Sequence, residues 1–194
     1  ILGIFNYLRR YGGARDVRSI LVSYCDMIVT EYERHQDSKW QWFENILAYA
    51  NGLLPTALFK GYTVEKNKKY FDTAMATMNF LLDNCMRNDT LSLIGSHRWY
   101  KKDKAKSRFD QQPIDAFWMI KVCKAAYLVT KDEEYLKPMK ISFEWFLGGN
   151  DGNLNLYDFV TGGCYDGLAR TGVNLNQGAE STICFLLSLL SMKE

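Results

Sequence analysis

Four acidic side chains stand where polar, aromatic-bearing loops turn into apolar helical stretches. Glu44 follows Trp40-Gln41-Trp42-Phe43, Asp110 and Asp115 flank Gln111-Gln112-Pro113, and Glu180 follows Asn176-Gln177-Gly178-Ala179. The first turn of a helix carries unsatisfied N–H groups and a partial positive charge. A carboxylate held there is a good acceptor for sugar hydroxyls, or a base with a lowered pKa. Pro113 suits the first helical position. Asp151, Asp158 and Asp166 add carboxylates in the last loop, while Trp40, Trp42, Trp99, Tyr100, Trp145, Tyr157 and Tyr165 supply flat rings. Carboxylates and amides for hydroxyls, with rings for the apolar faces of sugars, are what a carbohydrate cleft needs. Two carboxylates also supply the general acid and the base or nucleophile of glycoside chemistry, their separation deciding the stereochemical route.

Each of these residues has a plainer role to set beside the chemical one. First-turn Asp and Glu residues act as caps or macrodipole partners. The plainer role for Asp115 is a hydrogen bond to a buried neighbour, and Trp118 and Trp145 fit a core as well as a platform. Glu180 heads a helix with no other charge before its last turn, which points to function. Other site types are poorly supported. Only His35 and His97 exist, with no H-E-x-x-H, so no metal site is expected. Asp151-Gly152-Asn153-Leu154-Asn155 opens like an EF-hand loop, but Leu156 replaces the required Gly and Gly162 the bidentate Glu. Lys101, Lys102, Lys104, Lys106 and Arg108 suit either a phosphate group or a solvated loop. No Gly-rich phosphate loop follows a strand, which excludes a nucleotide-sugar transferase core, and no cofactor is expected.

Composition bounds the rest. The chain has 194 residues, 47% of them hydrophobic and 14% aromatic, enough for one domain with a real core. A net charge of +2 gives no argument for nucleic acid or an anionic membrane, and no apolar run reaches transmembrane length. The opening Ile1-Leu2-Gly3-Ile4-Phe5 has neither an initiator Met nor a basic leader, so residues 1–194 are expected to be one helical domain cut from a longer protein. The cysteines (Cys25, Cys85, Cys123, Cys164, Cys184) are odd in number without C-x-x-C spacing, which favours a reducing cytoplasm. Cys164, in a Gly-rich loop, reads as a small packed residue or as a nucleophile.

The elements that must position the acids are helices of two kinds. Val17, Ile20, Leu21, Tyr24, Ile28 and Tyr32 form one stripe, and Phe71, Ala74, Met75, Met78, Leu82 and Cys85 another. A third amphipathic helix starts at a capping-box pattern, Thr130 to Glu133, and buries Leu136, Met139, Phe143, Phe146 and Leu147, with Pro138 bending its first turn. Between them lie segments apolar nearly all round, from roughly Gln41 to Lys60, Ile114 to Val129 and Ala179 to Leu190; such helices are buried all round. Alternating amphipathic and buried helices imply two layers of helical hairpins. Passages out of buried helices are short, at Gly61 to Glu65 and Thr130 to Asp132. Two passages into them are long, at Arg87 to Gln112 and Gly148 to Gly178, which collects the loops above the N-termini of the inner helices. The predicted fold is an all-α (α/α) toroid of which about half, three hairpins of six, is present. A helical-repeat solenoid would need short, even loops.

At these loops the sequence resembles the helical domain found in bacteria fused behind, or encoded beside, glycosyltransferases. The matching strings are Trp40-x-Trp42-Phe43-Glu44, Tyr49-Ala50-Asn51-x-x-Leu54-Pro55, Leu93-Ile94-Gly95 with Trp99-Tyr100, and Phe109-Asp110-Gln111-Gln112-Pro113-Ile114-Asp115-Ala116. They continue with Glu144-Trp145-Phe146-Leu147-Gly148-x-Asn150, Leu156-Tyr157-Asp158, Thr161-Gly162-Gly163-Cys164 with Asp166-Gly167-Leu168, and Asn174-x-Asn176-Gln177-Gly178-Ala179-Glu180-Ser181-Thr182. The resemblance implies membership of the six-hairpin toroid superfamily, which holds glycoside hydrolases, phosphorylases and sugar epimerases. It departs at Ala50, where the family usually carries an acid, and the family's upstream half with its Arg-Asp pair is not in this chain. Together with the residues above, it makes Asp110, Asp115 and Glu180 the catalytic candidates. Trp42, Glu44, Asn51, Trp99, Tyr100, Gln112, Tyr157, Asp166, Asn176 and Gln177 become the candidate saccharide contacts. The expected ligand is a mannose- or glucose-type oligosaccharide, and the expected partner a glycosyltransferase domain. The alternative is a non-catalytic sugar-binding or interaction scaffold.

Overall fold

A computed structural model describes residues 1–12 and 15–193. Seven helices dominate it: α1 (Leu2–Arg10), α2 (Arg15–His35), α3 (Leu53–Glu65), α4 (Lys68–Cys85), α5 (Pro113–Thr130), α6 (Leu136–Glu144) and α7 (Ala179–Lys193). A 3-10 turn, Glu133–Tyr135, leads into α6. Helices α3, α5 and α7 pack side by side as an inner row, α2, α4 and α6 cover them from outside, and α1 leans on α2 and α3.

The layers follow from which faces are apolar. Helix α5 buries ten residues, from Pro113 to Ala126, with Asp115 the one charged side chain among them. It is covered by α3, α6 and α7 together, as an apolar circumference requires. The outer helices bury single stripes. On α2 that stripe is Leu21, Cys25 and Val29, while Ile20 and Tyr24, expected inside, are 45% and 47% exposed. On α4 it includes Ala74, Met78 and Cys85, joined by Tyr70, whose hydroxyl donates to Asp26 at 2.6 Å.

Short turns join inner to outer helices. Lys66 and Lys131 end α3 and α5 in the left-handed conformation, and Asn67 caps α4 through Lys69 N at 3.0 Å. The cap before α6 is Asp132, accepting from Glu134 N at 3.0 Å, rather than the expected Thr130, whose hydroxyl is turned back to Ala126 O.

Three sequence expectations are corrected. The helix expected from Gln41 to Lys60 does not begin until Leu53, so Glu44 lies in a loop and not in a first helical turn. Residues 36–52 instead fold in on themselves. Trp40, Trp42 and Phe43 are each at most 3% exposed, and Trp40 Nε1 donates to Glu44 O at 2.7 Å. Gly52 then lets the chain press against the Trp118 carbonyl of α5, where a Cβ would collide. All three passages into the inner row are therefore long.

The second correction is that the chain is not purely helical. The loops carry three two-stranded antiparallel ribbons: β1 (Ile46–Leu47) with β4 (Tyr100–Lys101), β2 (Met86–Arg87) with β3 (Thr90–Leu91), and β5 (Gly167–Ala169) with β6 (Gly172–Asn174). The third is that α7 is covered on one face only. Ser181, Cys184, Phe185, Ser188 and Ser191 are buried, while Ile183, Leu186, Leu187 and Leu190 are 42–54% exposed.

Candidate functional site

The three long loops meet at the N-terminal end of the inner row. Ribbon β1–β4 ties the first loop to the second, with Ile46 opposite Lys101 and Leu47 opposite Tyr100. An antiparallel bridge ties the second to the third: Gln111 N donates to Leu168 O and Leu168 N to Gln111 O, each at 2.9 Å. Gln111 is fully buried at this junction. Its side-chain amide donates to Arg108 O and to Asp151 Oδ2, and its carbonyl oxygen accepts from Trp145 Nε1 at 2.8 Å. Asp151 gathers Ser92, Arg108 and Gln111, each at 2.6 Å. Burial works to raise its pKa, but these donors outweigh burial and hold it below the ordinary carboxylate value. Asp151 and Gln111 thus clamp the loops together.

Asp115, in the first turn of α5, is different. It is 4% exposed; Asn51 Nδ2 approaches its Oδ1 at 3.5 Å, and its Oδ2 accepts no hydrogen bond among the described residues. Asn51 is itself fixed by donating to Ala48 O at 2.9 Å. Burial pushes the Asp115 carboxyl up to about 7, and the neighbouring Glu180 charge pushes the same way, against the opposing pull of the Asn51 and Ala50 backbone and the Asn51 side chain. A cavity of about 10 Å³, near the lower limit for one water molecule, lies between Asp115, Asn51, Leu93 and Ile94. The inner end of the site therefore holds an acid raised to about 7, and the first turn of α7 carries an exposed carboxylate, Glu180, whose charge it feels.

The remaining expected residues divide by what they touch. Asp110 and Glu180 are exposed, and their side chains make no hydrogen bond among the described residues. Glu44 is likewise exposed but sits in the 36–52 loop. Asp166 is committed to structure: its Oδ1 accepts from Gly178 N at 2.8 Å and Ser181 Oγ at 2.7 Å, holding the start of α7. Gln177 bridges Asp158 and Thr161, at 2.9 and 2.8 Å. The Asp158 carboxyl is drawn down to about 2 by the Val160 N–H and the Thr161 and Gln177 side chains. Asn176 is exposed, and Gln112 is the residue before α5, with no side-chain cap bond.

Among the aromatics, Trp42 and Trp145 are core, at 3% and 0% exposure. Tyr100 meets the Trp40 edge, and Tyr157 stacks on Phe185 with centroids 4.2 Å apart. Trp99 is half-buried and faces Tyr49, centroids 6.2 Å apart and planes tilted 36°. Tyr49, read from the sequence as an inner-helix residue, is 61% exposed in the loop two residues before Asn51. Sequence reasoning named Trp99 as a candidate contact and missed its pairing with Tyr49.

Cys164 is fully buried, burial raises its thiol to about 12, and its N–H is spent on Thr182 Oγ1. A thiol so far from ionisation is no nucleophile. Among the described residues no group of His, Cys, Asp or Glu is placed to hold a metal ion, and no helix is long and apolar enough to cross a membrane.

Compared by sequence, the chain matches no protein-family profile and no curated protein. Compared by structure, it is similar to a GH76 alpha-mannanase of Bacteroides thetaiotaomicron, with a TM-score of 0.57 and 18% identity. The match covers 74% of this chain and 38% of that one, so the chain spans well under half of that neighbour. At this identity the likeness establishes a shared helical-hairpin fold.

Proposed function

We propose that this domain is one side of a carbohydrate-active (α/α) toroid that binds, and processes, a mannose- or glucose-type oligosaccharide at the N-terminal end of its inner helices. The observation that carries the reading is Asp115, a buried acid raised to about 7 that feels the charge of the exposed Glu180, where three long loops meet. Glycoside chemistry needs one carboxyl that holds a proton and a second carboxyl to act with it. Asp115 is the proton holder, Glu180 the group exposed to substrate, and Asp110 the acceptor for a sugar hydroxyl. Tyr49 and Trp99 offer rings to the apolar face of a sugar. The half-ring reading is supported by the uncovered apolar face of α7, which further hairpins would bury, and by the fold shared with an alpha-mannanase.

The test is oligosaccharide turnover and affinity in the full-length protein carrying Glu180→Gln or Asp110→Asn. The reading expects turnover to fall by at least 100-fold in one of them, roughly the weight of one general acid or base. Wild-type turnover and affinity in both would overturn it. One observation favours a second reading, a non-catalytic sugar-binding accessory to a glycosyltransferase: Asp115 is only 4% exposed, and a general acid must reach its substrate. That reading expects saccharide binding without hydrolysis, phosphorolysis or epimerisation.

A further inference from the structure

Beside Asp110 the second and third loops enclose a hollow of about 560 Å³, lined by His97, Arg98, Lys106, Arg108, Asp110 and Arg170 together with Ser107 and Phe109. Its charge is one-sided: four cationic side chains share the wall with a single carboxylate. Two of the cations are already used. Lys106 Nζ donates to Asn84 O at 2.6 Å and Ser92 O at 2.8 Å, and Arg108 pairs with Asp151 at 2.6 Å while lying over the Phe109 ring. Arg98 and Arg170 are exposed and make no hydrogen bond or ion pair among the described residues. They come from different segments. Arg98 lies in the turn before β4, and Arg170 is at the tip of the β5–β6 ribbon.

The arrangement around them is fixed. The Gly95–Asp110 segment is held by Gly95 N to Ser107 O at 2.7 Å, Ser96 N to Asp110 O at 2.8 Å and Ser107 N to Trp99 O at 3.0 Å. Gly95 lies so close to the Phe109 backbone that a Cβ has no room. The β5–β6 ribbon that carries Arg170 is docked by the Gln111–Leu168 bridge. Two unpaired guanidinium forks on a braced frame, in a concave wall that also contains a hydroxyl acceptor, suit a planar or tetrahedral oxyanion carried on a sugar.

We infer that this hollow is a subsite for an anionic saccharide unit, with Arg98 and Arg170 gripping a phosphate or carboxylate substituent while Asp110 accepts a hydroxyl from the same ring. The inference rests on the saccharide reading above and adds the charge of the substrate to it. Neutral mannose or glucose units would occupy the Tyr49–Trp99 side, and the acidic unit the arginine side.

The test is calorimetry on the full-length protein with four probes: mannobiose, mannose 6-phosphate, a glucuronic-acid-containing disaccharide, and inorganic phosphate. The phosphorylated sugar, the uronate sugar or both should bind at least tenfold more tightly than mannobiose, and which of the two does so identifies the oxyanion. An Arg98→Ala, Arg170→Ala double variant should lose that preference and keep its affinity for mannobiose; both side chains are exposed, so its unfolding midpoint should not move. Equal affinity for acidic and neutral sugars, or a preference unchanged in the double variant, would overturn the inference and leave the saccharide reading standing. Binding of inorganic phosphate with no binding of any sugar would overturn both.

Discussion

Replacing Asp115 by Asn should make the protein more stable at neutral and alkaline pH. In the unfolded chain this carboxyl titrates near its ordinary value of 3.8, whereas in the fold it titrates at about 7. Folding therefore takes up a proton between those limits. Stability is at its fullest below the lower value, declines as pH rises through the window, and reaches a floor above the upper one. Each pH unit of separation is worth about 1.4 kcal/mol, so the buried charge destabilises the fold by on the order of 4 kcal/mol once ionised. Asn has the same shape and no charge to bury, and its amide can keep the contact with Asn51. Urea unfolding of wild type and Asp115→Asn, from about pH 4.5 to about pH 8.5, measures the effect as a difference. That range keeps Asp151 and Asp158 ionised in both proteins, because their carboxyls are held low. The stability gap should widen in favour of the variant by about 1.4 kcal/mol per pH unit through the window and then level off. Parallel profiles, or a variant less stable at alkaline pH, would refute the claim that Asp115 carries a raised pKa. A stabilised but inactive variant is what a residue kept for chemistry at the expense of stability should give.

Two further outcomes test the frame around the site. Gly52→Ala should destabilise by about 1–3 kcal/mol in urea, because the added methyl meets the Trp118 carbonyl and α3 must shift to admit it. Asp166→Ala should lose the bonds to Gly178 N and Ser181 Oγ and lower stability by about 1–2 kcal/mol, with faster amide exchange confined to the first turn of α7.

The layers were legible because helix amphipathicity reports how many neighbours a helix has. Helix α5, apolar on every side from Ile114 to Val129, is surrounded as its sequence demands. Gln41 to Lys60 misled for a local reason. Its apolar content suits a helix, but Trp40, Trp42 and Phe43 are buried from an irregular chain that folds over the core, and periodicity does not register that kind of burial. The corrective signal was present in Asn51-Gly52, a turn dipeptide, followed by Pro55 in what is the first turn of α3. Reading it would have placed Tyr49 in the loop and suggested the pairing with Trp99. The short ribbons were invisible, since two residues carry too little alternation to detect.

The candidate acids were named from spacing, but their division was not. Asp110 and Glu180 look alike as loop-to-helix carboxylates, and Asp166 is one more carboxylate of the last loop. Only the fold separates Asp166, spent on Gly178 and Ser181, from Glu180 with no hydrogen bond of its own. Asp115 read as a buried hydrogen-bonder or as an acid; the fold shows it buried, with an Oδ2 that accepts no hydrogen bond among the described residues and a raised pKa. The basic run from Lys101 to Arg108 is largely spent within the fold, with Lys102 paired to Asp37, Lys106 to carbonyls and Arg108 to Asp151, although Lys106 and Arg108 also line the hollow with Arg98 and Arg170.

A crystal structure of the full-length protein soaked with mannose and glucose oligosaccharides puts the central claim to its most direct trial. Sugar should lie at the N-terminal end of α3, α5 and α7, in hydrogen-bond reach of Asp110 and Glu180 and against the Tyr49–Trp99 pair. Sugar bound at the opposite end of the inner helices, with Asp110 and Glu180 still facing only solvent, would contradict it.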